Sequence, residues 1–311
     1  MKVVIWKVIC LILALGLTLA ACAPAGGTSV AANKPLNVLA VETFLADIAQ
    51  NVAGDRLKVD ALLPFGVDPH GFEPVPSDIV RVAKSTVLIV NGAGLEVFLD
   101  RMLKNAGGQR MIIVASQGLK QRVPQPGEGG AGAAQAEGDP HFWLDPNNVI
   151  VYVQNIRDGL SKADPDGAAT YAANAEAYIK KLRDLDTWIR TQVSTIPEKN
   201  RLLVTNHESQ GYFADRYGFT VVGTILSNVS SSASPSAQDM VQLVARIRAT
   251  GAKAIFLETG ANPQLARQLA QEAGVKVVET LYDHSITNGP PAGSYIDMMR
   301  YNVTVIVDAL K

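Results

Sequence analysis

The tripeptide Asp-Pro-His occurs twice in this chain, at residues 68–70 and 139–141. The chain has only four histidines in 311 residues, so half of its imidazoles share one local setting. Proline fixes its own φ and restricts the residue before it, so each copy presents a histidine from a stiff, non-helical corner. Such a corner holds a ligand at little ordering cost. The repeat therefore indicates a metal site built from distant segments, although each copy alone also fits an ordinary turn.

The elements that must position these histidines alternate between short β-rich runs and amphipathic helical patterns. Runs rich in β-forming residues lie at 36–41, 58–63, 86–90 and 111–114, and again at 202–205, 220–225, 253–257 and 275–280. Helical patterns lie at 44–52, 78–84, 96–105, 210–217, 237–249 and 263–273. The alternation predicts an α/β fold with two similar lobes, each containing a mostly parallel sheet.

A continuous helical pattern separates the two halves. Apolar residues recur at spacings of three and four over residues 166–195, Asp164-Pro165-Asp166 supplies a start signal and Pro197 an end signal. This pattern predicts one long helix joining the lobes, with the metal site in the cleft between them. The predicted domains are an N-terminal lobe at 35–165, a linking helix at 166–196 and a C-terminal lobe at 197–311.

The N-terminus has the layout of a secretory signal peptide at 1–21. Lys2 and Lys7 precede an apolar run, and the run ends in Leu-Ala-Ala-Cys22, which resembles the lipobox of bacterial lipoproteins. Cys22 is then the predicted lipid anchor, followed by a flexible tether to residue 34. A plain signal peptide that happens to end in cysteine is the alternative. The extracytoplasmic side of the cell membrane is the predicted location.

The cysteine content limits the possible metal ligands of the mature chain, and the charge content limits its possible partners. Cys10 lies in the segment that is removed, so a metal site in the mature chain must use imidazole and carboxylate. The chain has 28 basic and 29 acidic residues, and removing Lys2 and Lys7 leaves 26 against 29. This balance does not favour a nucleic-acid partner. The sequence has no second long apolar stretch. The mature protein is expected to be a monomer.

Four candidate ligands follow predicted strands. In open parallel sheets, ligands bind beyond the carboxyl ends of the strands. His70, His207 and Asp283 fall on that edge, and His141 can reach it after the Gly-rich segment 123–138. Three imidazoles and one carboxylate suit Zn²⁺ ahead of manganese or iron, and a filled shell favours binding over hydrolysis. His284 is the alternative to Asp283 as the fourth ligand.

The histidine segments also carry a family resemblance. The sequences Val-Asp-Pro-His-Gly-Phe-Glu-Pro at 67–74, Asp-Pro-His-Phe-Trp-Leu-Asp-Pro at 139–146 and Val-Thr-Asn-His at 204–207 resemble the metal-binding lipoproteins of zinc and manganese ABC importers. The likeness covers nearly the whole mature chain. It implies a solute-binding lipoprotein that passes a metal to a cognate permease and its ATPase.

The resemblance also implies a ligand set. In that family one residue from each of four segments holds the metal, which corresponds here to His70, His141, His207 and Asp283. Manganese and iron binders typically have glutamate at the third position, so His207 is similar to the zinc-type arrangement. Many zinc binders have a histidine-rich loop before the second ligand, and here segment 123–138 has no histidine. Segment 123–138 is interpreted either as a surface insertion or as a lid over the site.

Two other functions are compatible with parts of the sequence. A zinc hydrolase would use His70, His141 and His207 as ligands with Glu208 or Asp283 as the base. His207-Glu208 lacks the second histidine of a His-Glu-x-x-His motif, and no Walker A or Gly-x-Ser-x-Gly sequence is present, so no enzyme is expected. A manganese- or iron-binding member of the same family is the other alternative. Glu258, at a strand end, is expected either to accept a hydrogen bond from a ligand histidine or to be solvated.

Overall fold

A computed structural model describes residues 36–123, 138–226, 231 and 235–311. The predicted signal peptide, Cys22 and the tether to residue 34 lie outside the described residues, as does nearly all of segment 123–138. Within the described ranges, no helix is long and apolar enough to cross a membrane. Residues 36–311 form one compact unit.

The first half contains a four-stranded parallel sheet in the order β2-β1-β3-β4. Its strands are β1 Val38–Ala40, β2 Val59–Ala61, β3 Val87–Val90 and β4 Met111–Val114, with helices α1 Thr43–Ala53, α2 Pro76–Lys84 and α3 Leu99–Ala106. The central strands β1 and β3 are buried at every position, as expected where helices cover both faces of a parallel sheet. Helix α3 begins three residues later than its pattern predicted, because Glu96 accepts hydrogen bonds from the backbone of Asn91 and Gly92.

The second half repeats this architecture with the order β6-β5-β7-β8, again all parallel. Its elements are β5 Leu202–Thr205, α6 Gly211–Tyr217, β6 Thr220–Thr224, α7 Ala237–Thr250, β7 Ala254–Glu258, α8 Pro263–Ala273 and β8 Lys276–Leu281. The predicted α/β fold with two similar parallel sheets is confirmed.

Two long helices, α4 Pro146–Ala163 and α5 Ala168–Val193, lie between the sheets in the chain. Helix α5 confirms the predicted long helix and contacts α1, α4 and the C-terminal helix α9 Tyr295–Leu310. One buried apolar cluster includes Phe44, Trp143, Leu185, Phe213 and Met298, from both halves of the chain. Because the two halves share this core, the lobe boundaries at 165 and 197 stay a prediction.

The sequence patterns missed helices α4 and α9. In α4 the run Val149-Ile150-Val151-Tyr152-Val153 suits a strand, yet only residues spaced by three and four are fully buried, among them Val149, Tyr152 and Ile156. Asp145 accepts a hydrogen bond from the Asn147 N–H and so caps this helix. Ser294 caps α9 by accepting from the Asp297 N–H. The capping residues indicate that these segments are helices, whereas the β-branched composition of α4 does not.

Candidate metal centre

All four histidines of the chain meet at one point beyond the carboxyl ends of the strands. The Nε2 atom of His141 lies 3.1 Å from Nε2 of His70, 3.2 Å from Nε2 of His284 and 3.3 Å from Nε2 of His207. One nitrogen from each ring lies within 4.8 Å of the others, and all four residues are buried. A shared point for four imidazole nitrogens is the geometry of a transition-metal site.

The two Asp-Pro-His corners fold alike. Asp68 Oδ1 accepts a hydrogen bond from the His70 N–H at 2.8 Å, and Asp139 Oδ1 accepts one from the His141 N–H at 2.9 Å. In each corner the carboxylate thereby closes a turn with its own backbone two residues on. Proline between the two residues stiffens that turn. The identical tripeptides therefore deliver two imidazoles from separate segments in the same way.

The other two histidines come from the second sheet. His207 follows β5, and His284 follows β8 directly after Asp283. The indole Nε1–H of Trp143 donates to the backbone carbonyl of Asp283 at 2.6 Å, which ties this segment to the first half. Trp143 is itself fully buried and stacks on Phe44 with ring centroids 4.4 Å apart. A rigid aromatic pair thus positions the loop that carries His284.

Three of the imidazoles have a carboxylate behind them. The Nδ1 atom of His141 lies 2.8 Å from Asp139 Oδ1, that of His207 lies 3.0 Å from Glu258 Oε1, and that of His284 lies 3.1 Å from Asp283 Oδ1. An acceptor at Nδ1 favours the tautomer that carries its proton there, which leaves the Nε2 lone pair directed at the shared point. When these three rings are neutral, the pairs therefore direct three nitrogens at the position that a cation would take.

The pKa values of the four imidazoles separate into two groups. Burial lowers the pKa of His70, and the charges of His284 and His207 lower it further, to about 3. The pKa of His141 falls well below its ordinary value because of burial and then of the other three imidazoles. Burial also lowers the pKa of His207, but the charge and hydrogen bond of Glu258, together with the charges of Asp283 and Asp68, raise that pKa to about 9. Burial lowers the pKa of His284 as well, but the charge and hydrogen bond of Asp283, together with the charge of Asp68, leave it raised.

Asp283 lies at the edge of this cluster. Its Oδ2 accepts a hydrogen bond from the Ser209 hydroxyl at 3.1 Å, while its Oδ1 lies against the ring of His284. An oxygen of Asp283, a ring nitrogen of His207 and an oxygen of Glu258 also lie within 4.8 Å of one another. The four residues predicted as ligands are thus brought together, and His284 joins them. The only sequence signals for His284 were its place beside Asp283 and the scarcity of histidine in this chain.

A cavity of about 400 Å³ adjoins the site on the side of the second sheet. Asp68, Asn206 and Glu258 contribute to its lining. The Asn206 amide donates to Glu258 Oε1 at 2.5 Å, so the carboxylate behind His207 is held by two groups. Solvent in this cavity can therefore reach Glu258, the carboxylate behind His207.

Comparison with known proteins places these features in a family. Residues 38–309 match the family described as zinc-uptake complex component A, periplasmic. The manganese-binding lipoprotein MntA of Halalkalibacterium halodurans is 36% identical over 276 residues, which cover 88% of each chain.

Two solved structures are also similar to this chain. The periplasmic zinc-binding protein TroA from Treponema pallidum superimposes with a TM-score of 0.79 at 28% identity, covering 89% of this chain and 99% of that one. A manganese-bound periplasmic metal-binding protein from Candidatus Liberibacter asiaticus gives a TM-score of 0.76 at 28% identity, covering 88% and 99%.

The family consists of substrate-binding transport proteins, so the prediction that this chain is not an enzyme is confirmed, and the hydrolase alternative is set aside. The relatives carry both zinc and manganese in their names, so the resemblance leaves the ion open. The match over 38–309 confirms the suspected relationship: the chain belongs to the family of metal-binding solute-binding proteins of ABC importers.

Proposed function

We propose that this protein captures Zn²⁺ outside the cytoplasmic membrane and delivers it to an ABC permease. The observation that carries this proposal is the convergence of all four imidazoles, with three Nε2 atoms 3.1 to 3.3 Å from that of His141. Zinc–imidazole bonds of 2.0–2.1 Å in a tetrahedron separate neighbouring nitrogens by about 3.3 Å. The four side chains therefore need little movement to bind a single ion.

The donor type supports zinc over manganese. Imidazole suits zinc and copper, whereas carboxylate, carbonyl and water oxygens suit manganese. The carboxylates of Asp139 and Glu258 hydrogen-bond to the far side of the rings. Zinc also stands above manganese and iron in the general affinity order for divalent ions. A manganese- or iron-binding role, as in the printed names of several relatives, is the competing outcome.

The proposed ligands are His70, His141, His207 and one member of the Asp283–His284 pair. Glu258 is proposed to orient His207 through Nδ1, in the way that outer carboxylates commonly hold metal-bound imidazoles. No catalytic group is assigned.

Cys22 is proposed as the lipid anchor, which agrees with the lipoprotein names of the relatives. The partners are then the cognate permease and its ATPase, and the protein acts as a monomer. The buried core shared by both halves supports metal release through loop and side-chain rearrangement rather than wide opening of two lobes. Deuterium exchange that changed throughout both sheets on metal binding would argue against this mode of release.

The test is a zinc titration of the soluble chain that begins after Cys22, using a chelator competition to measure Kd. We expect one tight zinc per chain and a loss of at least 100-fold in affinity in His141→Ala, whose nitrogen is adjacent to the other three. The matched control is Glu176→Gln, which removes an exposed carboxylate on α5. Equal affinity in His141→Ala and the control would refute the proposed site.

A further inference from the structure

We infer that His284, rather than Asp283, supplies the fourth bond to the metal, and that Asp283 is a positioning residue that holds the ring of His284. The inference rests on the proposed function, since it assigns roles within the same site. It changes the donor set from three nitrogens and one oxygen to four nitrogens. The resulting site differs from the carboxylate-containing set expected from the sequence.

The first argument is the direction of the His284 ring. Its Nε2 lies 3.2 Å from Nε2 of His141, which matches the distances of His70 and His207 from the same atom. The rings of His207 and His284 are stacked, with centroids 5.0 Å apart and planes 27° apart. His284 thus directs its nitrogen to the shared point as the other three histidines do.

The second argument is that both carboxylate oxygens of Asp283 are already engaged. Oδ1 lies 3.1 Å from Nδ1 of His284, and Oδ2 accepts from the Ser209 hydroxyl at 3.1 Å. The main chain of Asp283 is fixed by Trp143 as well. Coordination by Asp283 would require one of these oxygens to share or give up its contact with His284 or Ser209.

The third argument is a pattern repeated around the site. His141 has Asp139 behind Nδ1, His207 has Glu258, and His284 has Asp283. A carboxylate behind a ring fixes the tautomer and raises the basicity of the metal-binding nitrogen. Asp283 relates to His284 as Glu258 relates to His207, and this is the role of an outer carboxylate.

The charge distribution follows from this assignment. Four neutral imidazoles leave the full charge of a divalent ion uncompensated among the ligands. Asp283, Glu258 and Asp68 lie one layer outside the rings, and Asp68 Oδ1 is 4.0 Å from Nδ1 of His284. Outer carboxylates compensate the ion without adding an oxygen donor. A site with four nitrogens should therefore discriminate against manganese more strongly than one with a carboxylate ligand.

The test compares wild type, His284→Asn, His284→Asp and Asp283→Asn as zinc complexes, using zinc-edge X-ray absorption to count imidazole ligands and titration to measure affinity. Wild type and Asp283→Asn should both show four imidazole nitrogens, with affinity lowered about 10- to 100-fold in Asp283→Asn. His284→Asn should lose one imidazole and more affinity than Asp283→Asn. His284→Asp should restore a fourth ligand as oxygen and shift the zinc-to-manganese preference towards manganese by at least tenfold.

Two results would overturn the inference. One is an unchanged shell in His284→Asn, and the other is loss of an oxygen ligand in Asp283→Asn. Asp283→Asn changes neither the size nor the backbone of the residue, so its spectrum decides the question even if a His284 variant misfolds. If His141→Ala abolishes zinc binding while His284→Asn keeps the wild-type shell, this inference alone fails. If wild type binds no stoichiometric zinc, the proposed function fails instead.

Discussion

The two halves of the metal site use the same pairing of histidine and carboxylate but differ in charge. In the first half, burial raises the pKa of Asp139 to about 8, against the opposing effects of the His141 N–H and Arg122. In the second half, burial raises the pKa of Asp283, but the charge and hydrogen bond of His284, together with His207 and Ser209, lower the value to about 2. Near pH 7 the carboxyl of the His141 pair is therefore largely neutral, whereas the carboxyl of the His284 pair is ionised.

This difference shows that pairing alone does not set the charge of a buried imidazole. The pKa values of His70 and His141 are lowered and those of His207 and His284 are raised, although all four rings share one centre. Repulsion among four rings prevents all of them from holding a proton, and the carboxylates decide which ones do. The first half is ready to bind a cation, whereas His207 in the second half must first release its proton.

The largest expected effect is a difference in zinc affinity between variants of the two carboxylates that lie behind His141 and His207. Glu258→Gln removes the anion behind His207, and we expect zinc affinity to fall by about 10- to 100-fold. Asp139→Asn replaces a carboxyl that is already largely neutral, so its loss should stay below about tenfold. Both changes keep the size of the side chain. Chelator competition measures Asp139→Asn at pH 7.5 and Glu258→Gln at pH 9.5, where a proton on His207 no longer offsets the loss of the anion; a greater loss in Asp139→Asn would break the comparison.

The second prediction concerns pH. Because the pKa of His207 is raised to about 9, zinc must displace its proton at neutral pH. Affinity should rise by on the order of 10- to 100-fold from pH 7 to pH 9 in wild type, since each unit below the pKa costs about tenfold. In Glu258→Gln the pKa of His207 falls, so this rise should flatten. An equally steep rise in both proteins would mean that Glu258 does not keep His207 protonated.

A third prediction extends the comparison to other carboxyls of the first half. Glu42 follows β1 and is fully buried, and burial together with the charge of Glu96 raises its pKa well above the ordinary value. When the pKa of a carboxyl group is higher in the folded than in the unfolded protein, its contribution to the free energy of unfolding is fully present below the unfolded-state pKa. That contribution is lost as the pH rises through the folded-state pKa. In wild type, this effect should lower the unfolding free energy by on the order of 1–3 kcal/mol at pH 8.5 relative to pH 5.5. Glu42→Gln should remove that decrease.

Urea unfolding at both pH values tests this, with the exposed Glu176→Gln as the control. If Glu42→Gln loses as much stability as wild type between the two pH values, the raised pKa of Glu42 is not the cause.

The smallest effect concerns a contact that joins the two halves. The Ser285 hydroxyl accepts from the Gly66 N–H at 2.8 Å and lies 3.0 Å from the Thr43 hydroxyl. Ser285→Ala leaves the buried Thr43 group short of a partner, and we expect a loss of about 1–2 kcal/mol in unfolding free energy. Zinc affinity should change by less than threefold, because no imidazole loses a hydrogen bond. Ser161→Ala is the matched control and should show no loss, because the Ser161 hydroxyl donates to the Arg157 carbonyl within its own helix.

Much of the fold could be predicted because short buried strands and the spacing of apolar residues in α5 carry a direct signal. Helix α4 could not, since its β-branched residues suit both a strand and a buried helix. The convergence of the three histidines at 70, 141 and 207 could be predicted from their motifs. The respective roles of Asp283 and His284 could not, because adjacent residues differ in direction only once Ser209 and Trp143 are placed around them.

The raised pKa of Glu42 could not be predicted from the sequence either. It depends on burial beside Glu96, a residue distant in the chain, and neither oxygen of Glu42 meets a hydrogen-bond partner among the described residues. Nothing in the neighbourhood of Glu42 in the sequence distinguishes it from a solvated strand-end carboxylate.

The most direct test of zinc capture by this cluster is competition between two ions for the wild-type soluble chain. The metal-free protein is dialysed at pH 7.5 against Mn²⁺ in tenfold excess over Zn²⁺, and the bound metal is measured by elemental analysis. The four-imidazole site predicts one zinc per chain and almost no manganese. Retention of manganese as the main bound ion would contradict the assignment of this protein as a zinc carrier.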